Sequence, residues 1–400
     1  MPPTQTINRG VTWLLAMSVG AIVANIFYAQ PLLAEMARAL SAPVTTMGLV
    51  AMLTQIGTAL GMLIFVPLGD KYNRRSLTCI LLLAASFSLM AVATAPTVLR
   101  LAAACFGVGA ASSAVHVLVP FAAHLAPESQ RGRVVGIVLS GLLIGVLTAR
   151  TVSGFLGSWF GWRAVYVIAS IAMLLLSGIL RMKLPDVPPL QRISYPQLIR
   201  SIGEIVLTYP ELRQAALTGA MLFGSFSAFW TTLVFFLAGP PYHYGPSVAG
   251  LFGLLGATGA AAAPIVGRFA DRRGPRLAVL LGIVIAIAAF VILAAGGRML
   301  PVLIAGVILL DLGVQAAHVA NQTLVYSLAP DARSRLNTVY MFSYFVGGAL
   351  ASYAAAVCWA RAQWTGVCLL ALALLFVALS NHLWSPLRGL QRFAAANSSS

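Results

Sequence analysis

The sequence predicts an all-α membrane protein: twelve transmembrane helices in two pseudo-symmetric six-helix bundles. Three observations carry that reading. The first is a balance of 60% hydrophobic against 8% charged residues over 400 positions. Soluble domains carry about 25% charged residues, so too little polar surface remains here to coat a globule in water. The second is a set of twelve apolar runs, each near the ~20 residues that a spanning helix needs. The third is a repeat. Val66-Pro67-Leu68-Gly69-Asp70-Lys71-Tyr72-Asn73-Arg74-Arg75 is echoed by Gly267-Arg268-Phe269-Ala270-Asp271-Arg272-Arg273-Gly274-Pro275-Arg276, with Asp70 and Asp271 lying 201 positions apart. Leu125-Ala126-Pro127-Glu128, followed by Arg131 and Arg133, is echoed 203 positions later by Leu328-Ala329-Pro330-Asp331 with Arg333 and Arg335. Two signatures recurring at nearly one spacing mean a chain built from two copies of one unit, as in parallel-repeat membrane proteins.

In chain order, the apolar runs lie near 11–33, 44–67, 76–95, 98–124, 134–156 and 162–180 in the first half. In the second they lie near 213–238, 247–267, 276–296, 300–328, 336–358 and 364–384. The first run has a lone Arg9 ahead of it, without a small-residue cleavage site or a polar domain behind it, so it is expected to remain as a spanning helix. The expected domains are a bundle over 1–180, a cytoplasmic linker over 181–212, a second bundle over 213–385 and a disordered tail over 386–400. The linker is marked by five prolines and several basic residues, with a short surface helix around Gln197–Val206.

Lysine and arginine placement sets the orientation. With the N-terminus inside, nineteen basic residues fall on the inner side and five on the outer, Arg150 alone lying within a span. Both termini are expected in the cytoplasm. The net charge of +16 therefore reads as a topology signal, because the basic residues form short clusters between apolar runs and no nucleic-acid motif is present. Cys79, Cys105, Cys358 and Cys368 all lie inside apolar runs at spacings that suit neither a disulfide framework nor a metal site, and are read as packing residues.

Gly267 to Arg276 resembles the signature loop G-x-L-a-D-r-x-G-r-r of the major facilitator superfamily, with Val66 and Asn73 standing in the earlier copy where glycines are usual. The resemblance covers the whole chain. It implies a secondary transporter whose loop charges, Asp70 with Arg74 and Asp271 with Arg272 and Arg276, form a conformational latch between the halves. The exporter pattern G-P-x-x-G-G of the fifth span reads here Ala149-Arg150-Thr151-Val152-Ser153-Gly154, with Arg150 in place of the proline. Gly141, Gly145, Ser153, Gly154 and Gly157 keep a small-residue face suited to close packing. Asn25 to Pro31 and Gln322 to Tyr340 resemble members near the drug:proton antiporter and sugar-exporter families.

Charge within a bilayer costs roughly 2.5–3.5 kcal/mol on insertion scales and is usually functional or paired. Asp311 and Arg150 are the clearest such residues. Asp311 lies about eleven residues into its span, roughly 16 Å deep at 1.5 Å per residue, and is expected to have no second intramembrane carboxylate. Arg150 is expected to face it across the halves, the pair being made and broken during alternating access; local neutralisation of each is the competing expectation. Asp311, Gln315, His318 and Gln322 fall on one helical face, with Asn321 beside it. A polar stripe on a spanning helix should face a wet cavity or another helix rather than lipid.

A histidine titrates near neutrality and burial raises a carboxylate's pKa, so Asp311 and His318 are the candidate proton relay, with Arg150 as their counter-charge. An interhelical hydrogen bond is the alternative use of His318. The resemblance implies that the first, fourth, seventh and tenth spans line the cavity. Candidate lining residues are therefore Asn25, Tyr28, Ser113, His116, Gln315, Gln322, Phe226 and Trp230, with interhelical packing equally open for Asn25 and an aromatic core equally open for Phe226 and Trp230.

No phosphate-cradling loop, nucleophile elbow or metal-ligand cluster is apparent, which disfavours an ATP-driven pump, and no cofactor is expected. The expectation is a monomeric, non-enzymatic transporter of the inner membrane. It would export a small organic solute in exchange for protons; proton-coupled uptake of a polar or anionic metabolite is the alternative. Its partners would be that solute, protons and the lipid bilayer, and not nucleic acid.

Overall fold

A computed structural model of the protein describes residues 9–187, 195–257, 265, 268–269, 272–329 and 332–397. Every regular element among them is helical. The first-half runs become α1 (Arg9–Phe27), α2 (Leu33–Ala39), α3 (Val44–Lys71), α4 (Arg74–Ala93), α5 (Val98–Ser112), α6 (Ala114–Leu125), α7 (Arg131–Phe160) and α8 (Trp162–Lys183). The linker carries α9 (Tyr195–Thr208). The second half forms α10 (Pro210–Ala238), α11 (Pro246–Leu255), α12 (Pro275–Gly296), α13 (Leu300–Leu328) and α14 (Arg333–Asn397). Among the described residues, 10 helices are long and apolar enough to cross a membrane. The last of these, Arg333–Trp384, has 52 residues and breaks at Ala362 and Gln363, so it holds the two runs expected at 336–358 and 364–384. Helical backbone continues beyond Pro386 to Asn397. α11 covers the start of the run expected near 247–267, most of whose remainder lies outside the described residues.

Local chemistry explains the boundaries. Proline opens α10, α11 and α12, where its missing N–H costs nothing and its fixed φ already suits a helix. Asn73 caps α4, its side chain accepting from the Ser76 N–H at 3.0 Å. Gly161 joins α7 to α8 at φ +79°, a conformation that a Cβ would strain. The fourth run is broken between α5 and α6 at Ser113, whose hydroxyl donates to the Ala110 carbonyl at 2.6 Å. The first run is longer than expected. A 3-10 turn at Gln30–Leu32 carries the chain past Pro31 into α2, so the apolar segment reaches Ala39. Glu35 and Arg38 both lie on α2, in the last turns of this segment.

The chain packs as two compact units, Met1–Ile199 with Trp230–Ala257, and Arg200–Phe229 with Thr258–Ser400. α10 thus begins in the second and ends in the first. In the first unit α1 packs on α7, α3 on α5, α4 on α8 and α11 on α7. Small residues make the closest approaches, because lipid offers no hydrophobic drive and backbone contact must supply the attraction. A Cβ built on Gly20 would lie 2.6 Å from the Gly141 carbonyl oxygen, and one on Gly145 would lie 2.3 Å from that of Gly20. The α4–α8 seam is polar instead. Ser86 and Ser170 each donate to the other's backbone carbonyl at 2.8 Å. One seam position further on, Ser177 donates to the Cys79 carbonyl at 3.1 Å.

In the second unit α12 packs on α13 and α14. A Cβ on Gly347 of α14 would lie 2.3 Å from the Ala220 carbonyl oxygen of α10, so the close approach of α1 and α7 recurs between α10 and α14. Gln214 and Asn381 close this unit by reciprocal amide bonds, Gln214 donating to the Asn381 carbonyl at 2.9 Å and Asn381 to the Gln214 carbonyl at 3.0 Å.

Candidate functional site

Two polar centres stand out, one in each unit. The first is built around Arg150, which α7 carries into the packed interior with 2% of its surface exposed. Its Nε donates to Gln30 Oε1 at 2.5 Å. Its guanidinium lies 4.8 Å from the Phe27 ring centroid and 4.2 Å from that of Trp230. A planar, delocalised, weakly hydrated cation is well suited to such aromatic faces. Phe27 and Gln30 belong to the α1 end, held to α7 by the glycine contacts above, whereas Trp230 comes from the far end of α10. Asn25, one turn before Tyr28, is 3% exposed, and neither polar atom of its amide has a hydrogen-bond partner among the described residues. Tyr28 lines a groove of about 460 Å³ along the α1–α7 seam, together with Met17, Gly20, Ala24, Thr148 and Val152.

The second centre surrounds His318 on α13. Its Nδ1 is 3.0 Å from the Tyr340 hydroxyl, and its ring lies 4.7 Å from that of Tyr344. Tyr344 in turn stacks on Phe223 of α10 at 4.0 Å, and Phe226 stacks on Phe223 at 5.8 Å. Gln322 donates to Asn337 Oδ1 at 3.1 Å. His318 and Gln322 thus address α14, the helix-facing alternative left open for such a stripe. Asp311, two turns before His318, is 4% exposed. Gln315 is half-buried. Asn321 has a scaffolding contact, donating to the Ala215 carbonyl at 2.8 Å.

The remaining candidates are less gathered. Ser113 is fully buried and spends its proton on its own helix, while His116 is half-buried on α6. Among the loop residues, Asp70 lies in the last turn of α3 and Asp271 lies outside the described residues. Arg74 donates to the Gly69 carbonyl at 3.0 Å. Arg75, not singled out from sequence, reaches the head of the linker, meeting Asp186 at 2.5 Å and the Leu184 carbonyl at 3.0 Å. Asn73 also donates to Asp186 and to the Val187 carbonyl. Arg272 is exposed. Arg276 borders a pocket of about 400 Å³ with Gln214, Asn321 and His382.

Sequence reasoning passed over Phe27 and Tyr344 and left Gln30 without a role. Tyr340 and Tyr344 stand four apart, one face of a helix, and that spacing was available as a signal. Nothing in the sequence pairs Arg150 with partners 120 and 80 positions away.

The family model for the Major Facilitator Superfamily matches residues 12–352 and 251–397. The chain belongs to the major facilitator superfamily. As a member it is an integral membrane transporter and not an enzyme. It is similar to the uncharacterised transporter YgaY of Escherichia coli O157:H7, 38% identical over 397 residues covering 99% of each chain. It is also similar to a probable transporter of Streptomyces coelicolor, 34% identical over 90% of this chain and 83% of the relative. Among solved structures, a bacterial homologue of the human lysosomal transporter Spinster, inward-facing and unoccupied, aligns with TM-score 0.76 at 16% identity, covering 96% of this chain and 97% of that one. The nucleoside transporter NupG aligns with TM-score 0.76 at 14% identity, covering 93% and 98%. At such identities the likeness is one of fold.

Proposed function

We propose that the protein is a secondary transporter of the drug:proton antiporter or sugar-exporter branch, exporting a small organic solute in exchange for protons. In this reading it works as a monomer in the bacterial inner membrane with both termini in the cytoplasm. Two pseudo-symmetric bundles, 1–180 and 213–385, alternate access across the linker 181–212, and the loop charges at Asp70, Arg74, Asp271, Arg272 and Arg276 latch one arrangement. The observation that carries the reading is the second centre: a buried carboxylate, Asp311, on the same helical face as a histidine that shares a 3.0 Å hydrogen bond with a tyrosine inside an aromatic cluster. The carboxyl group is the site that takes up and gives off the proton, and the histidine two turns along the same face extends the relay. The rings of Phe223, Phe226 and Tyr344 offer an apolar wall to an organic solute, with Asn25, Tyr28, Ser113, His116, Gln315, Gln322 and Trp230 as further cavity residues.

Arg150 serves as the counter-charge of Asp311 during the cycle. Neutralising both should restore part of the transport lost on neutralising either; a double variant no better than the worse single one counts against the pairing. The direct test is solute accumulation with and without an uncoupler, followed by flux in proteoliposomes across an imposed pH step. Collapse of the proton gradient should raise accumulation for an exporter. A fall would instead assign the alternative, proton-coupled uptake of a polar or anionic metabolite, and flux indifferent to the pH step would remove proton coupling.

A further inference from the structure

Two rows of residues run in step along the α1–α7 groove. On α1, Arg9, Trp13, Met17, Gly20 and Ala24 stand at intervals of four, four, three and four, one face of a helix. On α7, Arg133, Ile137, Gly141, Ile144 and Thr148 repeat those intervals. All but the two arginines line the groove. Backbone contacts set the rows level. A Cβ on Gly141 would lie 2.2 Å from the Ala16 carbonyl oxygen, and one on Gly145 would lie 2.3 Å from that of Gly20. A step of four along α1 is thus a step of four along α7, and the two helices run parallel. Carried back on that register, Arg9 comes level with Arg133 at one end of the groove. Both arginines are exposed, neither is paired with a carboxylate among the described residues, and neither helix contains an acidic residue. Beyond them the groove is apolar. Ser140 and Thr148 turn their hydroxyls onto their own helix, donating to the Gly136 and Ile144 carbonyls at 2.9 and 2.7 Å, while Trp13 and Met17 are 60% and 64% exposed.

We infer that this groove seats one acyl chain of an anionic phospholipid, whose phosphate rests between Arg9 and Arg133. The dimensions suit a chain. From Trp13 to Tyr28 the groove extends about 22 Å at 1.5 Å per residue, whereas one leaflet contributes about 15 Å of hydrocarbon. A chain anchored at the arginines is therefore sheltered along its whole length. The volume of about 460 Å³, spread over that length, leaves a mean section of about 21 Å². That admits a methylene chain but not a helix about 10–12 Å across. Charge then selects the headgroup. Two forked guanidiniums at one level match the oxygens of a phosphate, and basic residues at the membrane surface are drawn to anionic lipid. A zwitterionic lipid brings a cation of its own to the same place and loses part of that attraction. A second copy of the chain is a poor occupant, because two copies in one membrane face each other at equal depth and would set four arginines together. Gly20 and Gly141 complete the fit by leaving the floor of the groove without side chains.

The test needs neither a solute nor transport, because Trp13 stands in the groove as a reporter. The full-length protein is reconstituted in phosphatidylcholine vesicles with increasing fractions of phosphatidylglycerol or phosphatidylcholine brominated on the acyl chain. Bromine quenches a tryptophan that it touches, and subtracting the signal of Trp13→Phe isolates the share of Trp13. Half-quenching should need about 25-fold less phosphatidylglycerol than phosphatidylcholine, about fivefold for each basic residue beside an anionic lipid. Arg9→Gln and Arg133→Gln should each cut this preference about fivefold and together erase it. Glycerol phosphate, a headgroup without a chain, should leave the quenching untouched. Equal half-quenching by the two lipids, a preference that survives loss of both arginines, or relief by glycerol phosphate would each overturn the inference. Ala21→Phe fills the groove and leaves every basic residue in place, so it keeps the test decisive if the double arginine variant fails to insert. It should also erase the preference; a preference unchanged in Ala21→Phe would mean surface attraction without a seated chain, and would overturn the inference too.

Discussion

The contact between Gly20 and Gly145 makes a quantitative demand on stability. In Gly145→Ala the new methyl would sit 2.3 Å from the Gly20 carbonyl oxygen and 2.6 Å from its Cα, where ordinary contact begins at 3.4 Å. Both clashing atoms are backbone, so no rotamer relieves them and α1 must retreat from α7 by about 1 Å. Overpacking on this scale costs about 1–3 kcal/mol. Gly136→Ala, on the same helix, meets nothing within 4 Å and should be neutral or gain up to about 1 kcal/mol from the better helix former. The same substitution nine residues apart is thus expected to act with opposite sign. Thermal unfolding in detergent, followed by a thiol-reactive dye on the buried Cys79, Cys105 and Cys368, reads the difference directly. If Gly145→Ala unfolds no earlier than Gly136→Ala, close backbone packing is not what joins α1 to α7.

Two further outcomes follow from individual hydrogen bonds. Tyr340→Phe keeps the ring stack on His318 but removes its hydroxyl partner; it should cost about 0.6–1.7 kcal/mol of stability, in line with interhelical bonds in membranes, and change the pH profile of flux, whereas an unaltered profile would detach this bond from proton coupling. Ser86→Ala and Ser170→Ala should each cost stability of similar size, since each removes one bond to the other residue's backbone carbonyl, and two single variants as stable as the parent would mean that these bonds do not hold α4 to α8.

Much of the fold was legible because the bilayer leaves few options. Runs such as 76–95 and 276–296 reappear as α4 and α12 with edges shifted by a residue or two, since length and hydropathy alone define a span. The first run was misjudged at its end for a specific reason. It is expected to end near 33, yet a 3-10 turn at Gln30–Leu32 leads into a further helix and the apolar segment runs on to Ala39. Asn73, legible only as a departure from a glycine pattern, proves to be a helix cap whose amide also grips the linker. At the candidate site the sequence exposed the isolated charges, Arg150 and Asp311, because a lone charge in an apolar run needs no partner to be conspicuous. Their neighbours were hidden. Phe27 and Trp230 look like any other membrane aromatics until the chain is folded.

The tether at the head of the linker has a consequence for engineering. Arg75 counts among the positive charges from which membrane orientation is read, and the same guanidinium also anchors Asp186 and the Leu184 carbonyl. Removing it would perturb two decisions made at different times: which way the early hairpin enters the bilayer during synthesis, and where the connecting segment is moored once both halves are in place. Charge-swap experiments at this position would mix the two, and Asp186→Asn, which loosens the mooring while leaving the arginine count untouched, is the substitution that separates them.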